Sequence, residues 1–332
     1  MIALQQGMKM RPPTMDDLQN MVDTINAYFL ARIGLATYSL DHLQSILSSP
    51  HVNLENDYRV IVNEHNETVA IIGLTTVDPF VENEIRFRIH PKYEGIGLAE
   101  MLYDWAEQRA LENVHRAPPD ARVVLSDWLS ARDVSGNDFV EARGFDLVRE
   151  FAKMKIDLES ADIPEPVFPP SIAIRSYSEL NDVTALTDAI NVSFRDHWGF
   201  FDEKVEEIQH WVATAPYIDT DYFFLAMDGD KIAGMSLCIM HMTEDIDAGY
   251  IDTVAVMPDY RRQGIALNLL HHSFRALRAV GRKRALLDVD ANSLTGATLL
   301  YEKAGMHVDR KNYAWEKILR DGREYRTQTL ED

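Results

Sequence analysis

The chain has 332 residues, 46% hydrophobic and 26% charged, and its 33 Lys and Arg stand against 53 Asp and Glu for a formal net charge of -20. Such a length exceeds one typical domain and can bury a sizeable core, so two soluble globular domains are expected. No apolar run nears the roughly 18 residues of a spanning helix, the start MIALQQGMKMRPP lacks a signal-peptide core, and the acidic balance disfavours anions as general partners, so neither membrane nor nucleic acid is expected and the cytoplasm is the expected compartment.

In chain order, MRPPTMDDLQNMVDTIN (residues 10–26) reads as an extended start at Arg11, a turn and a helix closing on Ile-Asn. IHPKYEGIGLAEML (89–102) joins a strand to a second helix through a glycine turn, and FVEARGF (139–145) ends a third. The same plan then returns. IRSYSELNDVTALTDAIN (174–191), VMPDYRRQGIALNL (256–269) and LYEKAGM (300–306) match the three stretches at offsets of about 160 to 167 residues, which predicts a duplicated chain. Between the copies, ESADIPEPVFPPS holds Pro164, Pro166, Pro169 and Pro170, a stiff composition suited to a linker. The expected division is residues 1–158, a linker at 159–170, and residues 171–332.

In the second copy FFLAMDGDKIAGMSLCIM reads as a hairpin turning at DGD, and AGYIDTVAV as a further strand. IALNLLHHSFRALRAVG has helical apolar spacing and ends at Gly281, a C-cap residue. RALLDVD is a strand, SLTGATLLYEKAG a helix, HVDRKNYAWEKIL a last strand, and RDGREYRTQTLED a solvated tail. The fold class is mixed α/β. The single cysteine, Cys238, lies in an apolar run as a small buried hydrophobe, and His271 and His272 point apart on their helix, so no metal site is expected.

The stretch VAVMPDYRRQGIALNLL carries the chemistry. A strand that turns at Pro258 and enters a helix near Gly264 presents backbone N–H groups that no helical carbonyl can reach, at the positive end of the helix dipole. Phosphate suits such a site; Gly264 allows close approach, and Arg261 and Arg262 can add charge-assisted bonds. An exposed turn with solvated arginines is the other reading. A dinucleotide fingerprint is disfavoured, because RRQGIALN lacks the three-glycine spacing.

These residues resemble motif A of the GCN5-related N-acetyltransferase (GNAT) family, whose core R/Q-x-x-G-x-G/A is matched by Arg261, Arg262, Gln263, Gly264, Ile265 and Ala266. DANSLTGATLLYEKAGM resembles the family's next motif, with Met306 in place of the usual phenylalanine. The resemblance implies tandem acyl-CoA N-acyltransferase domains, each a mixed, mostly antiparallel twisted sheet flanked by helices. It implies acetyl-CoA as donor and no metal, with the pyrophosphate on residues 261–266 and the pantetheine arm along Val254, Ala255 and Val256 and near Asn292. It also implies that Tyr301 stands beside the departing sulfur. An amine must lose a proton before it attacks, and strand alternation puts Asp252 on the face of Val254 and Val256. Asp252 is therefore the expected base, or else the partner of the acceptor's ammonium group.

The first copy departs from this pattern. Glu94 stands in register with Arg261, Ile85 with Asp252, and Val140 with Tyr301. A glutamate at the turn should repel pyrophosphate, and no base or acid remains, so the first domain is expected to be non-catalytic. In NVSFRDHWGF, Asp196, His197 and Trp198 are candidates for the acceptor wall, a buried aromatic corner being the alternative. The expected activity is acetyl transfer to a primary amine of a small molecule. A non-enzymatic acyl-CoA sensor and a protein acetyltransferase are the alternatives, and the oligomeric state stays open.

Overall fold

In the computed structural model, which describes residues 4–292 and 296–327, the chain divides into two compact units. Unit one comprises Met1–Arg149 with Asn312–Tyr325, and unit two Glu150–Lys311 with Arg326–Asp332.

In chain order, unit one contains β1 (Lys9–Arg11), α1 (Leu18–Ile33), α2 (Leu40–Leu47), α3 (Leu54–Asp57), β2 (Tyr58–Val62), β3 (Thr68–Thr75), β4 (Glu82–Ile89), α4 (Leu98–Asn113), β5 (Val123–Ser130) and α5 (Val134–Ala142). Strand β6 (Asp146–Asp157) begins at its end and continues into unit two. Unit two adds β7 (Ile172–Ser176), α6 (Tyr177–Leu180), α7 (Val183–Phe194), α8 (Val205–Thr214), β8 (Ile218–Asp228), β9 (Lys231–Ile239), β10 (Ala248–Val256), α9 (Ile265–Ala279), β11 (Arg284–Asp290) and α10 (Ala297–Lys303); β12 (His307–Arg320) starts in it and passes into unit one at Asn312. In each unit the strands pair mostly antiparallel, with one parallel pair each, β4 with β5 and β10 with β11. This is the mixed, helix-flanked sheet the motifs imply.

The units do not follow the sequence halves. Residues Phe151–Asp157 of β6 pair with β11 in unit two, while Asn312–Ile318 and Arg320 of β12 pair with β5 in unit one. Long-range ladder hydrogen bonds, not order along the chain, decide membership. The Pro-rich stretch expected as a linker lies against α9: Ile163 is buried in the unit-two core, Val167 N–H donates to Asn268 Oδ1 at 2.8 Å, and Arg275 reaches the Ile163 carbonyl at 3.3 Å.

Alternation along strands and helical spacing together build two core layers in unit two. Phe224 and Ala226 of β8 face α9, whose Ile265, Leu269, Leu270, Phe274 and Leu277 form one buried stripe. Phe223, Leu225 and Met227 face the opposite way, onto Leu186 and Ile190 of α7 and Ile208 of α8. Helix α9 ends as its sequence predicts: Gly281 adopts φ +81°, and Arg282 N–H returns to the Leu277 carbonyl at 3.0 Å. The DGD hairpin also forms, with Asp228 opposite Lys231 and Gly229 at φ +60°. Cys238 is buried, and burial raises its thiol pKa to about 11, so it rests as a packed thiol. The first residues of the predicted helix SLTGATLLYEKAG, 293–295, lie outside the described residues.

Candidate active site

Strand β10 pairs with β11 only at Ala248–Tyr250, opposite Arg284–Leu286, and the ladder then stops. On its other edge, β10 follows β9 up to Val256 with an irregularity between Ile251 and Thr253, which leaves Asp252 as the extra, unpaired residue. A bulge re-aims a side chain and strengthens local twist. Here it turns Asp252 into a cleft at the point where β10 and β11 part.

The cleft encloses about 320 Å³ and gathers Asp252 and Val254 of β10, Asp288 and Asp290 of β11, Tyr301 of α10, and the segment Asp196–Phe200 that follows α7. Asp252, Tyr301, Asp196, His197 and Trp198, spread over more than a hundred positions of sequence, therefore share one wall-to-wall space. Thr253 Oγ1 donates to Asp252 Oδ2 at 3.0 Å. Although the carboxylate opens to the cleft, protein atoms surround the cleft floor closely and strip much of its hydration. That desolvation holds its pKa above the ordinary carboxyl value; the Thr253 bond works the other way, and the like charge of Asp288 adds to the rise. Burial pushes the Tyr301 phenol up to about 12, so it keeps its proton at neutral pH. Desolvation lowers the pKa of His197, with the neighbouring Asp196 charge opposing it.

Sequence reasoning missed Asp288, Asp290 and Lys153. Lys153 Nζ binds Asp288 at 2.8 Å, and Tyr250 Oη donates to Asp288 at 2.9 Å. Asp288 therefore has a cation beside it, while Asp252 takes its hydrogen bond from the Thr253 hydroxyl. The alternation in LDVD, with both acids on one face, was the available signal.

Beyond Val256 the chain passes Pro258–Tyr260 and enters α9 through a turn in which Arg262 takes φ +63° and Gly264 φ +79°. A left-handed arginine costs about 1–2 kcal/mol, strain characteristic of functional turns. The N–H groups of Ile265, Ala266 and Leu267 have no helical acceptor, and alternating backbone hands make an anion nest. Arg262, Gln263 and Gly264 are exposed there, whereas Ile265 points into the core and can offer only its N–H. Arg261 behaves differently from expectation. Its guanidinium pairs with Asp196 and also donates to the carbonyls of Val256 and Ser193, both at 3.2 Å. The two charges expected to meet pyrophosphate and acceptor amine thus meet each other. Asn292 is exposed at the end of β11, its N–H on Asp290 Oδ1 at 2.9 Å.

The described part of the tail is exposed at Asp321, Gly322, Arg323 and Tyr325, but it is not solvated throughout. Arg326 is 3% exposed, with its guanidinium carbon 5.6 Å from the centre of the Trp198 ring, and the Thr327 carbonyl accepts Gly199 N–H at 2.9 Å. It braces the aromatic segment from behind. Residues 328–332 lie outside the described residues.

Unit one keeps the plan with a different strand geometry. Its β3–β4 ladder runs without a bulge from Thr75–Glu84 to Ala70–Ile89, and β4 stays paired with β5 as far as Ile85–Asp127. Ile85 and Val140 are fully packed. Asp127 is buried with the Tyr103 hydroxyl donating to it. Glu94 at the turn is bound at 2.8 Å by Arg32, which is shared with Asp133. Strand geometry is what sets unit one apart.

Residues 183–306 match the profile of the acetyltransferase (GNAT) family. The structure is similar to a GCN5-related N-acetyltransferase from Sphaerobacter thermophilus, with a TM-score of 0.77, 26% identity, and 97% of this chain and 99% of that one covered. The chain carries a GNAT acetyltransferase domain. This acetyltransferase also shares its fold with a tandem GNAT protein from the clavulanic acid biosynthesis pathway, at a TM-score of 0.68 and 12% identity, covering 95% and 100% of the two chains. Among curated proteins, it is 25% identical to the mycothiol acetyltransferase of Streptomyces bingchenggensis over 71% of this chain and 73% of that one. It is 24% identical to that of Streptomyces coelicolor over 72% of each. The GNAT match over residues 183–306 implies an acyl-CoA donor.

Proposed function

We propose that the second unit moves the acetyl group of acetyl-CoA to a primary amine of a small molecule by direct attack on the thioester, and that the first unit is non-catalytic. The observation that carries this is the meeting of Asp252 and Tyr301 in one cleft where β10 and β11 part, in the unit that holds the glycine turn. The turn fits the donor: open space beside Gly264, where an added Cβ would find only Asn268 Nδ2 at 3.5 Å, and free N–H groups suit a pyrophosphate.

Each residue then has a task. Asp252, with a raised pKa and no cation at its side, accepts the proton of the attacking amine, directly or through water. Tyr301, protonated at neutral pH, donates to the departing sulfur. The N–H groups of 262–266 and the exposed Arg262 hold phosphate, and the backbone of Val254–Val256 and Asn292 line the path of the pantetheine arm. Phe194, Trp198 and Phe200 supply apolar surface for the acceptor, and the cleft's carboxylates suit a cationic amine. The relatives named mycothiol acetyltransferase support a small-molecule acceptor. Among the described residues no helix is long and apolar enough to cross a membrane, and the cytoplasm is our proposed location.

Calorimetric titration with acetyl-CoA tests the division of labour: one site per chain is the expected stoichiometry, and two sites would refute a silent first unit. Tyr301→Phe keeps the ring and removes the acid; kcat should fall by about 10²-fold with acetyl-CoA affinity little changed. An unaltered kcat would remove Tyr301 from the mechanism.

A further inference from the structure

In both units the residue that opens the glycine turn is tied back to the end of the first long helix, and the two ties carry opposite signs. In unit two the turn residue is Arg261 and its partner, just past α7, is Asp196. In unit one the turn residue is Glu94 and its partner, in the last turn of α1, is Arg32, at 2.8 Å. Arg32 also donates from Nε to Asp133 at 2.8 Å, the N-cap residue of α5. A glutamate cannot be a phosphate ligand. The same contact built with exchanged charges is therefore expected only if the contact itself, rather than the charge at the turn, is what the fold uses.

The bonds of Arg261 make the same point. Nε holds the carbonyl of Val256, the last residue of β10, one nitrogen holds the carbonyl of Ser193 in α7, and the other holds Asp196. This planar fork joins the end of the strand that enters the turn to the start of the segment Asp196–Phe200 that walls the cleft. Its donors point behind the turn, while those that face out of it belong to the backbone and to Arg262.

We propose that Arg261 is a positioning residue whose ion pair with Asp196 clamps the donor turn to the acceptor wall, so that phosphate binding is set by the tie and not by a guanidinium–phosphate bond. The proposal rests on the reading of residues 262–266 as the donor site. It makes a prediction opposite in sign to simple electrostatics. Asp196→Asn removes a negative charge near an anion site and releases Arg261; a phosphate-binding arginine would then hold the anion more tightly, whereas a clamp would be lost.

The test is calorimetric titration with CoA of the full chain, with thermal unfolding recorded for every variant. Asp196→Asn should weaken CoA binding about 10-fold, and Arg261→Glu about 100-fold. The double variant Arg261→Glu with Asp196→Arg, which copies the signs of unit one, should regain at least about 10-fold over Arg261→Glu alone. Glu94→Gln, which breaks the corresponding tie in unit one, should leave CoA affinity unchanged while lowering the unfolding temperature, and so separates loss of a tie in general from loss of this one. Tighter CoA binding in Asp196→Asn, or no recovery in the exchanged double variant, overturns the clamp while leaving the donor site in place. A wild-type protein that binds no CoA overturns both.

Discussion

Asp252→Asn lowers kcat by about 10³-fold, within the range for loss of a positioned base, and abolishes the acid limb of the kcat/KM profile assigned to this carboxyl. The sign follows from its surroundings. Desolvation and the neighbouring Asp288 raise its pKa above the ordinary 3.8, so the active, ionised form is reached later as pH rises than for a carboxylate in water. Lys153 and Tyr250 attend Asp288, not Asp252, and leave that shift in place. Stability should move oppositely to activity. A carboxyl whose folded pKa is raised contributes most to folding when both states are protonated, below its ordinary pKa, and that contribution is lost as pH rises through the folded value. At pH 7 the ionised Asp252 is therefore a cost that asparagine lacks. The variant should melt higher than wild type at pH 7, and this advantage should shrink as the buffer is taken toward pH 4. A kcat within threefold of wild type would remove Asp252 as the base; a lower melting temperature at pH 7 would show that its charge is compensated in the folded protein.

Gly264→Val weakens acetyl-CoA binding by about 100-fold or more, equivalent to roughly 2.7 kcal/mol. Two effects combine. At φ +79° a β-branched residue is strained by about 1–3 kcal/mol, and its side chain projects into the open space that the phosphate must enter. Gly97 takes φ +88° at the same place in unit one, so Gly97→Val carries the same kind of backbone strain without touching the proposed donor site. Thermal unfolding should register both substitutions, and calorimetry only the first. If instead the Gly97 variant lost acetyl-CoA and the Gly264 variant kept it, the donor would belong to unit one, and the mechanism would have to be rebuilt there.

Much of this was legible in the chain because it depends on residues close together. The stripe of α9, its stop at Gly281, the DGD hairpin and the turn at Gly264 each occupy a few consecutive turns or pairs, where backbone preference and side-chain period act directly. Duplication could be read from residue identities, and the face of Asp252 by counting in twos along its strand, while the place of Tyr301 followed from the resemblance of its motif to the GNAT family. What the tertiary structure decided are the meetings of distant segments. Arg261 and Asp196 were each legible as charges seeking a partner, and only the fold brings them together; Lys153 and Asp288 meet in the same way. The bulge at Asp252 and the early end of the β10–β11 ladder depend on register between strands, which a one-residue shift would change without altering the apolar content of either. Residues 312–325 fall in unit one because β12 finds its ladder partner in β5, and the acidic tail's Arg326 is buried because Trp198 offers it a face. Local preference acts along the chain, whereas these contacts are chosen by packing and hydrogen bonding between segments that sequence order does not relate.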